Sequence, residues 1–366
     1  QDNKAKARKG KGAKKVQNES EDTTDGKVKR MKKKGYLVAL KSHLERNHNW
    51  PSWKFSVQIK VKLVKKNEDQ SEEESVKVNA EINLIQAATI RRDIEQVKTI
   101  TGIALDRKDE GKTLDKLLKE EMSCTLLDEL KEKGWDLPSH LAQNCSWILD
   151  ATAIHLAACW HVESLVHFLE LDETLSNIQT KASLFTPLHV ASVEEEPRCI
   201  SLLIRNQANV IARNSFGQTP LHIAAQHGSM NNVITLIFEG DADVLALNLM
   251  DQTPIHLART SKILDILLSK TNSEEITSKL KGHQCVFEHI VKNYPSSINS
   301  YLDLMVTSKN SDSNINDQQL LFHLDMFNHG TQLSANYLDE HKMLMKNHTV
   351  QIFQDISDLL LSRFSS

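Results

Sequence analysis

Apolar residues flank a histidine in the same way at four places in the middle of the chain, which predicts four similar helices. Each copy begins with a threonine and has a histidine three residues later. The threonine and histidine pairs are Thr152 and His155, Thr186 and His189, Thr219 and His222, and Thr253 and His256. Threonine can cap a helix, and the proline that follows it in three copies needs no N–H partner there. The threonines recur at a nearly constant spacing, so the helices are regularly repeated.

The third copy is the fullest. Its helix runs through two alanines to Gly228, which can end a helix in the left-handed conformation. The apolar stripe of a second helix follows at Val233, Ile234, Leu236 and Ile237. Two residues before the threonine, Gly217 predicts a tight turn. Asp150, Leu184 and Asp251 occupy that place in the other copies; aspartate tolerates positive φ better than most residues, whereas leucine fits poorly.

The period and the Thr-Pro-Leu-His-x-Ala phrase resemble the ankyrin repeat. The resemblance implies a mainly α-helical solenoid in which these histidines form hydrogen bonds between neighbouring turns. A fainter copy begins at Leu84, and Ala87 precedes Ala157 by two periods, which leaves room for one more degenerate repeat with a helix at 126–133. The array is therefore expected over 84–270, with four clear or partial repeats, the fourth distorted, and two degenerate ones.

Residues 53–63 and 76–84 alternate between apolar and polar side chains, with an acidic polar segment between them. Such alternation predicts two strands of an antiparallel β-hairpin, which we assign to 36–83. Two strands alone are marginally stable, so their apolar face must pack on the repeats or on a partner. Packing on the repeats is favoured because the second strand runs directly into Leu84.

Residues 1–35 form a basic segment. Up to Lys34 the chain has 13 lysines and arginines against 5 acidic residues, and the remainder has 32 against 43. Few large apolar residues are present there, which predicts disorder. The basic run could be a nuclear localisation signal, a contact to nucleic acid or anionic lipid, or a solvated tail. The residues of the nuclear signal would be Lys29, Arg30, Lys32, Lys33 and Lys34.

Residues 271–366 are predicted to form a helical extension. Three of its motifs resemble the segment before the first membrane helix of ankyrin-type TRP cation channels. They are Tyr294-Pro295-x-x-Ile298-x-x-x-Leu302-Asp303, Phe322-His323-Leu324-Asp325-x-Phe327 and Lys346-x-His348-x-x-x-x-Phe353. The resemblance implies a cytosolic channel region that binds channel subunits. The Lys-Trp pair of that family is missing and no pore follows, so the region would be truncated before the membrane domain.

No arrangement in the sequence argues for catalysis. The sixteen histidines lack the spacing of a zinc site, and there is no glycine-rich phosphate loop or nucleophile motif. We therefore expect no metal, cofactor or small-molecule substrate, and a protein that is not an enzyme. Five scattered cysteines and the lack of an eighteen-residue apolar run favour a cytoplasmic, reduced setting. The alternatives are the cytosolic face of the plasma membrane and the nucleus.

In ankyrin stacks the concave surface consists of turn tips and first-helix residues. The resemblance thus predicts a protein-binding adaptor or scaffold, for which nucleic acid is an unlikely partner. The candidate contact residues are Trp160, His161, Arg213, Asn214, Phe216, Gln226 and His227. Trp160 is either an exposed aromatic anchor or a side chain packed sideways on the next repeat.

Overall fold

The computed structural model describes residues 24–66, 71–107, 109, 111–124, 150–194, 196–280, 286–304, 306–309 and 319–322. This part of the chain is mainly helical. Its helices are α1 (Thr24–Arg46), α2 (Leu84–Ile90), α3 (Ile94–Leu105), α4 (Lys112–Lys119), α5 (Ala153–Trp160), α6 (Val162–Leu171), α7 (Pro187–Ala191), α8 (Pro197–Arg205), α9 (Pro220–His227), α10 (Met230–Phe238), α11 (Pro254–Leu257), α12 (Ser261–Leu268), α13 (Ser273–Lys279), α14 (Val286–Asn293) and α15 (Ile298–Leu304). Its strands are β1 (Phe55–Lys66), β2 (Ser71–Ile82), β3 (Ser123–Cys124), β4 (Val306–Lys309) and β5 (Gln319–Phe322).

Twelve of these helices form six pairs that contact one another in a row. The first helices contact in the order α2, α5, α7, α9, α11, α14, and the second helices in the order α3, α6, α8, α10, α12, α15. Each predicted threonine start is confirmed, because Thr152, Thr186, Thr219 and Thr253 are the N-cap residues of their helices. We number the helix pairs one to six in this order.

One continuous core runs between the two layers of helices. Leu188 and Leu221 of the first helices and Val233 and Leu236 of α10 are fully buried in it. Alanines such as Ala224 face the same core and allow neighbouring helices to approach closely. Because each pair covers only part of its apolar surface, the pairs depend on their neighbours for burial.

The first pair lies directly against the second, which differs from the sequence expectation. Helix α2 contacts α5, and α3 contacts α6, so no helix pair stands between them in the described residues. Helix α4, which follows the first pair, packs on α3 and α5 instead. The expected helix at 126–133 lies outside the described residues. An extra pair, α14 and α15, adds to the row after residue 270, where the sequence predicted the repeats to end.

Helix α1 begins at Thr24, within the segment 1–35 for which composition predicts disorder. The helix continues to Arg46 and packs on α3. Leu44 and Trp50 are buried in the common core, with Leu40 packed against it. The buried end of the helix supplies the tertiary contacts that the composition of residues 1–35 does not reveal.

Strands β1 and β2 pair antiparallel with Phe55 opposite Ile82, and residues 67–70 between them lie outside the described part. At the base of this pair, Val57, Ala80 and Ile82 join a second apolar cluster with Leu156 of α5 and Val190 of α7. The apolar face therefore packs on the helix pairs at this end, as the sequence favoured. Strand β3 pairs with β2 at residues 80–81.

Candidate interaction surface

A threonine and a histidine form the same hydrogen-bonded box at the start of each central first helix. In the third pair, the backbone N–H of Thr186 donates to His189 Nδ1 at 3.2 Å, and the two side chains lie 2.8 Å apart. Because Nδ1 accepts from an amide, the proton of the neutral ring is on Nε2. The ring then donates from Nε2 to the Gln218 carbonyl, 2.9 Å away in the next turn.

The neighbouring histidines repeat this link. His155 Nε2 lies 2.9 Å from the Phe185 carbonyl oxygen, and His222 Nε2 lies 3.1 Å from that of Gln252. Burial lowers the pKa of His155, His189 and His222 to about 4, although carbonyl acceptors oppose the shift. The rings are consequently neutral at pH 7 and join adjacent pairs, as the resemblance implied.

The first pair contains an amide version of the box. The Asn83 N–H donates to Gln86 Oε1 at 2.8 Å, and the Gln86 N–H donates back to Asn83 Oδ1 at 2.9 Å. Gln86 Nε2 lies 3.3 Å from the Ala151 carbonyl, which directly precedes Thr152, and 2.7 Å from the Glu120 carbonyl. Sequence reasoning missed this box, although Asn-x-x-Gln ahead of two alanines is a capping-box pattern.

The turns that precede the first helices form a hydrogen-bonded row along the stack. The Ser215 N–H donates to the Ser183 carbonyl at 3.0 Å, and the Leu249 N–H donates to the Phe216 carbonyl at 3.1 Å. Asn214 is buried in its turn, where Oδ1 accepts from the N–H groups of Phe216 and Gln218, each at 2.9 Å. Asn214 therefore stabilises the turn. Because it is buried, it exposes no surface for the partner contact that the sequence predicted.

Three turns place a residue at positive φ two positions before the threonine. Gly217 has φ of 72°, Leu184 of 53° and Asp251 of 56°. The expectation for Asp251 is thus confirmed, and Leu184 adopts the conformation despite its side chain. The Asp150 carboxylate accepts from the Ala182 N–H at 2.7 Å and from the Ser183 hydroxyl at 3.1 Å, which ties the second pair to the next turn.

Replacing Leu184 by glycine is expected to raise the free energy of unfolding by about 0.5–1 kcal/mol. A left-handed leucine is strained by about 1–2 kcal/mol, part of which the flexible unfolded glycine offsets. Leu184 is partly exposed, so little packing is lost. Urea denaturation of Leu184→Gly against the parent protein measures the change, with Leu184→Ala as the control that keeps the strain. A glycine variant no more stable than the alanine variant would contradict the strain at this turn.

Apolar side chains stand exposed at the tips of this row. Leu249 is 76 % exposed and Met250 is 52 % exposed, next to the half-buried Phe216 and the partly exposed Leu184. We call these four residues the apolar tip row. Exposed apolar side chains grouped on stacked turns are typical of a protein-binding surface.

The remaining candidate contact residues have different surroundings. Trp160 is half-buried and packs on the second apolar cluster, so sideways packing accounts for part of its surface. His161 is occupied within its own helix start, with Nδ1 2.6 Å from the Ser164 hydroxyl and Nε2 3.2 Å from Glu163. These two are less available than the sequence suggested.

Arg213 is exposed, and its guanidinium donates to the carbonyls of Gly217 and Leu247. Gln226 is half-buried and accepts from Gln218 at 3.5 Å. His227 is half-buried beside Gln226, and burial followed by the nearby Arg259 lowers its pKa. Its Nε2 is buried without a hydrogen-bond partner among the described residues. The predicted contact residues therefore differ in exposure and in how far their polar atoms are already paired within the protein.

The described residues bring together no group of three or more His, Cys, Asp and Glu side chains that could hold a metal ion. None of the helices in the ranges given above is both long and apolar enough to cross a bilayer. The backbone of residues 29–34 lies in α1, and the nuclear localisation signal there stays a prediction.

The family model for ankyrin repeats matches residues 188–279 in three copies, which confirms ankyrin repeats in this chain. This range covers the third to fifth helix pairs and α13. No curated protein is significantly similar in sequence. Ankyrin repeats indicate a protein–protein interaction module, and repeat domains of this kind are generally not catalytic.

Proposed function

We propose that the protein is a non-enzymatic intracellular adaptor or scaffold that binds protein partners through the apolar tip row. The observation that supports this most is the pair Leu249 and Met250, whose large apolar side chains are exposed at the end of a hydrogen-bonded row of turns. The row is held by backbone hydrogen bonds and by the turn asparagines, so the tips are presented on a rigid base. A preorganised apolar surface loses little conformational entropy on binding.

A double substitution, Leu249→Asp with Met250→Asp, is expected to weaken partner binding at least tenfold. Two apolar contacts would be replaced by charges that are costly to bury in an interface. Quantitative crosslinking and mass spectrometry of wild type and variant, expressed at equal levels in the same cells, measures the loss for each co-purified protein. The partners are those proteins whose recovery falls with the substitution.

Phe238→Asp is the matched control. Phe238 is 62 % exposed and ends the second helix α10, so it is not part of the apolar tip row. Its substitution is expected to leave the same proteins bound. If the tip variant, folded by circular dichroism, retains the full set of proteins, the tip row is not the binding surface.

The second candidate function, a cytosolic region of an ankyrin-type TRP channel, is supported by the residue motifs alone. The first motif has a structural role within the array, since the Tyr294 hydroxyl donates to the Ala258 carbonyl of the fifth pair. Sequencing the transcript beyond Ser366 tests this proposal. Six hydrophobic spans downstream support the channel, and an in-frame stop without them supports the adaptor.

A further inference from the structure

At the first four junctions the same side-chain position joins one helix pair to the next, but it is built from two different chemistries. At the junction of the first and second pairs the position holds the amide of Gln86. At the following three junctions it holds the imidazoles of His155, His189 and His222. All four side chains donate to the carbonyl that precedes the next N-cap threonine. One junction therefore lacks a group that titrates near neutral pH, and three contain one.

The junction of the fifth and sixth pairs also contains imidazoles. His289 of α14 follows His256 by one repeat period. The two rings meet edge to face with centroids 5.2 Å apart, and Tyr294 lies against His289 at 5.9 Å. Burial, and then Lys292, lowers the pKa of His289. Nε2 of His289 is buried and has no hydrogen-bond partner among the described residues.

Protonation is incompatible with the histidine box as it stands. Nδ1 of His189 accepts from the Thr186 N–H, and a proton on Nδ1 would set two donors against each other. The new charge would also be buried among other titratable groups. His189 faces His155 and His222, and His222 faces Arg213 and Asp243. For His155 the neighbours are the carbonyls of Ile178 and Phe185.

The amide box is not disrupted by protonation in this way. Gln86 Oε1 accepts from the Asn83 N–H without being able to gain a proton at physiological pH. Asn83 Nδ2 also donates to the Leu117 carbonyl at 2.9 Å, and Lys54 lies 2.6 Å from Glu120. Helix α4, which is not one of the twelve paired helices, thus stabilises the first junction.

We propose that the stack is a graded pH-sensitive device, in which mild acid loosens the histidine junctions while the amide junction between the first two pairs stays closed. The fifth-to-sixth junction opens first, because two imidazoles meet there. The Phe185, Gln218 and Gln252 carbonyls released by the histidines belong to the turns of the apolar tip row, so acid would also disorder that surface. The pH response of the junctions needs no partner and stands apart from the proposed function.

Hydrogen exchange at pH 7 and pH 5, corrected for intrinsic rates, tests the grading in the full chain. The opening equilibrium constant of α9 and α11 in wild type is expected to be roughly twentyfold larger at pH 5 than at pH 7, because opening releases one buried imidazole that can then bind a proton. Protection of α2 at the first junction is expected to change less than threefold. In Thr186→Asn with His189→Gln, which copies the amide box, the response of α7 should fall below that of wild type, whereas α11, beside the unchanged His222, should respond as before.

The reverse graft, Asn83→Thr with Gln86→His, is expected to make the first junction acid-sensitive. It keeps the test decisive if the forward graft does not fold at pH 7. His48→Gln, a substitution of an exposed histidine in the segment after α1, is the control and should leave the pattern unchanged. Equal pH responses at the first and the histidine junctions, or grafts that do not alter them, would overturn the proposal.

Discussion

Acidification from pH 7 to pH 5 is expected to lower the free energy of unfolding of the protein by about 5–6 kcal/mol. The pKa values of His155, His189 and His222 are lowered from 6.5 to about 4 in the folded chain. In the unfolded chain these rings bind protons as soon as the pH falls below about 6.5. Stability is thus complete above that value and is lost as the pH falls from about 6.5 to about 4. Each ring contributes about 2 kcal/mol of the loss at pH 5.

Urea denaturation followed by circular dichroism at half-unit pH steps measures this loss. The triple variant that replaces these histidines by glutamine is the control, because glutamine can occupy the equivalent position, as Gln86 shows. Its free energy of unfolding is expected to fall by about 5–6 kcal/mol less than that of wild type over the same range. A wild-type loss no larger than that of the triple variant would show that these three rings titrate normally or stay neutral in both states.

Replacing Gly217 by alanine is expected to lower the free energy of unfolding by about 3 kcal/mol. Gly217 adopts φ of 72°, which strains any residue with a Cβ atom. The added Cβ would also lie 2.9 Å from the Leu249 backbone nitrogen and from Leu249 Cγ. That nitrogen donates to the Phe216 carbonyl, so the methyl group cannot be accommodated without breaking the row of turns.

Gly102→Ala is the matched control for this substitution. Gly102 is exposed within α3, and a Cβ built there meets nothing within 4 Å. Alanine is the better helix former, so this variant is expected to gain about 0.5–1 kcal/mol. Thermal and urea denaturation compare the two variants. A Gly217→Ala protein as stable as wild type would mean that the turn relaxes freely, contrary to the packing seen at Leu249.

Local signals predicted the parts of the fold that depend on a few neighbouring residues. The capping threonines identified four helix starts, and Gly217 identified its turn. The roles of Asn214 and Leu184 escaped prediction, because burial of the asparagine and the left-handed leucine follow from turns that stack on each other. The role of His289 also escaped prediction. It lies one period after His256, but the residues around it lack the Thr-x-x-His pattern that marks the second to fifth helix pairs.

The sequence by itself determined the period, the four threonine helix starts and the histidines that join the repeats they begin, because capping and apolar spacing act between residues close together in the chain. The tertiary structure alone decided which pairs touch. It packed α2 against α5, although residues 106–152 separate the first helix pair from the second, and Gln86 donates to the Ala151 carbonyl at this contact. It also extended the row of first helices to α14. Contacts between residues far apart in the chain depend on which buried surfaces fit together. Such a fit is a property of packed side chains and leaves no periodic trace in the sequence.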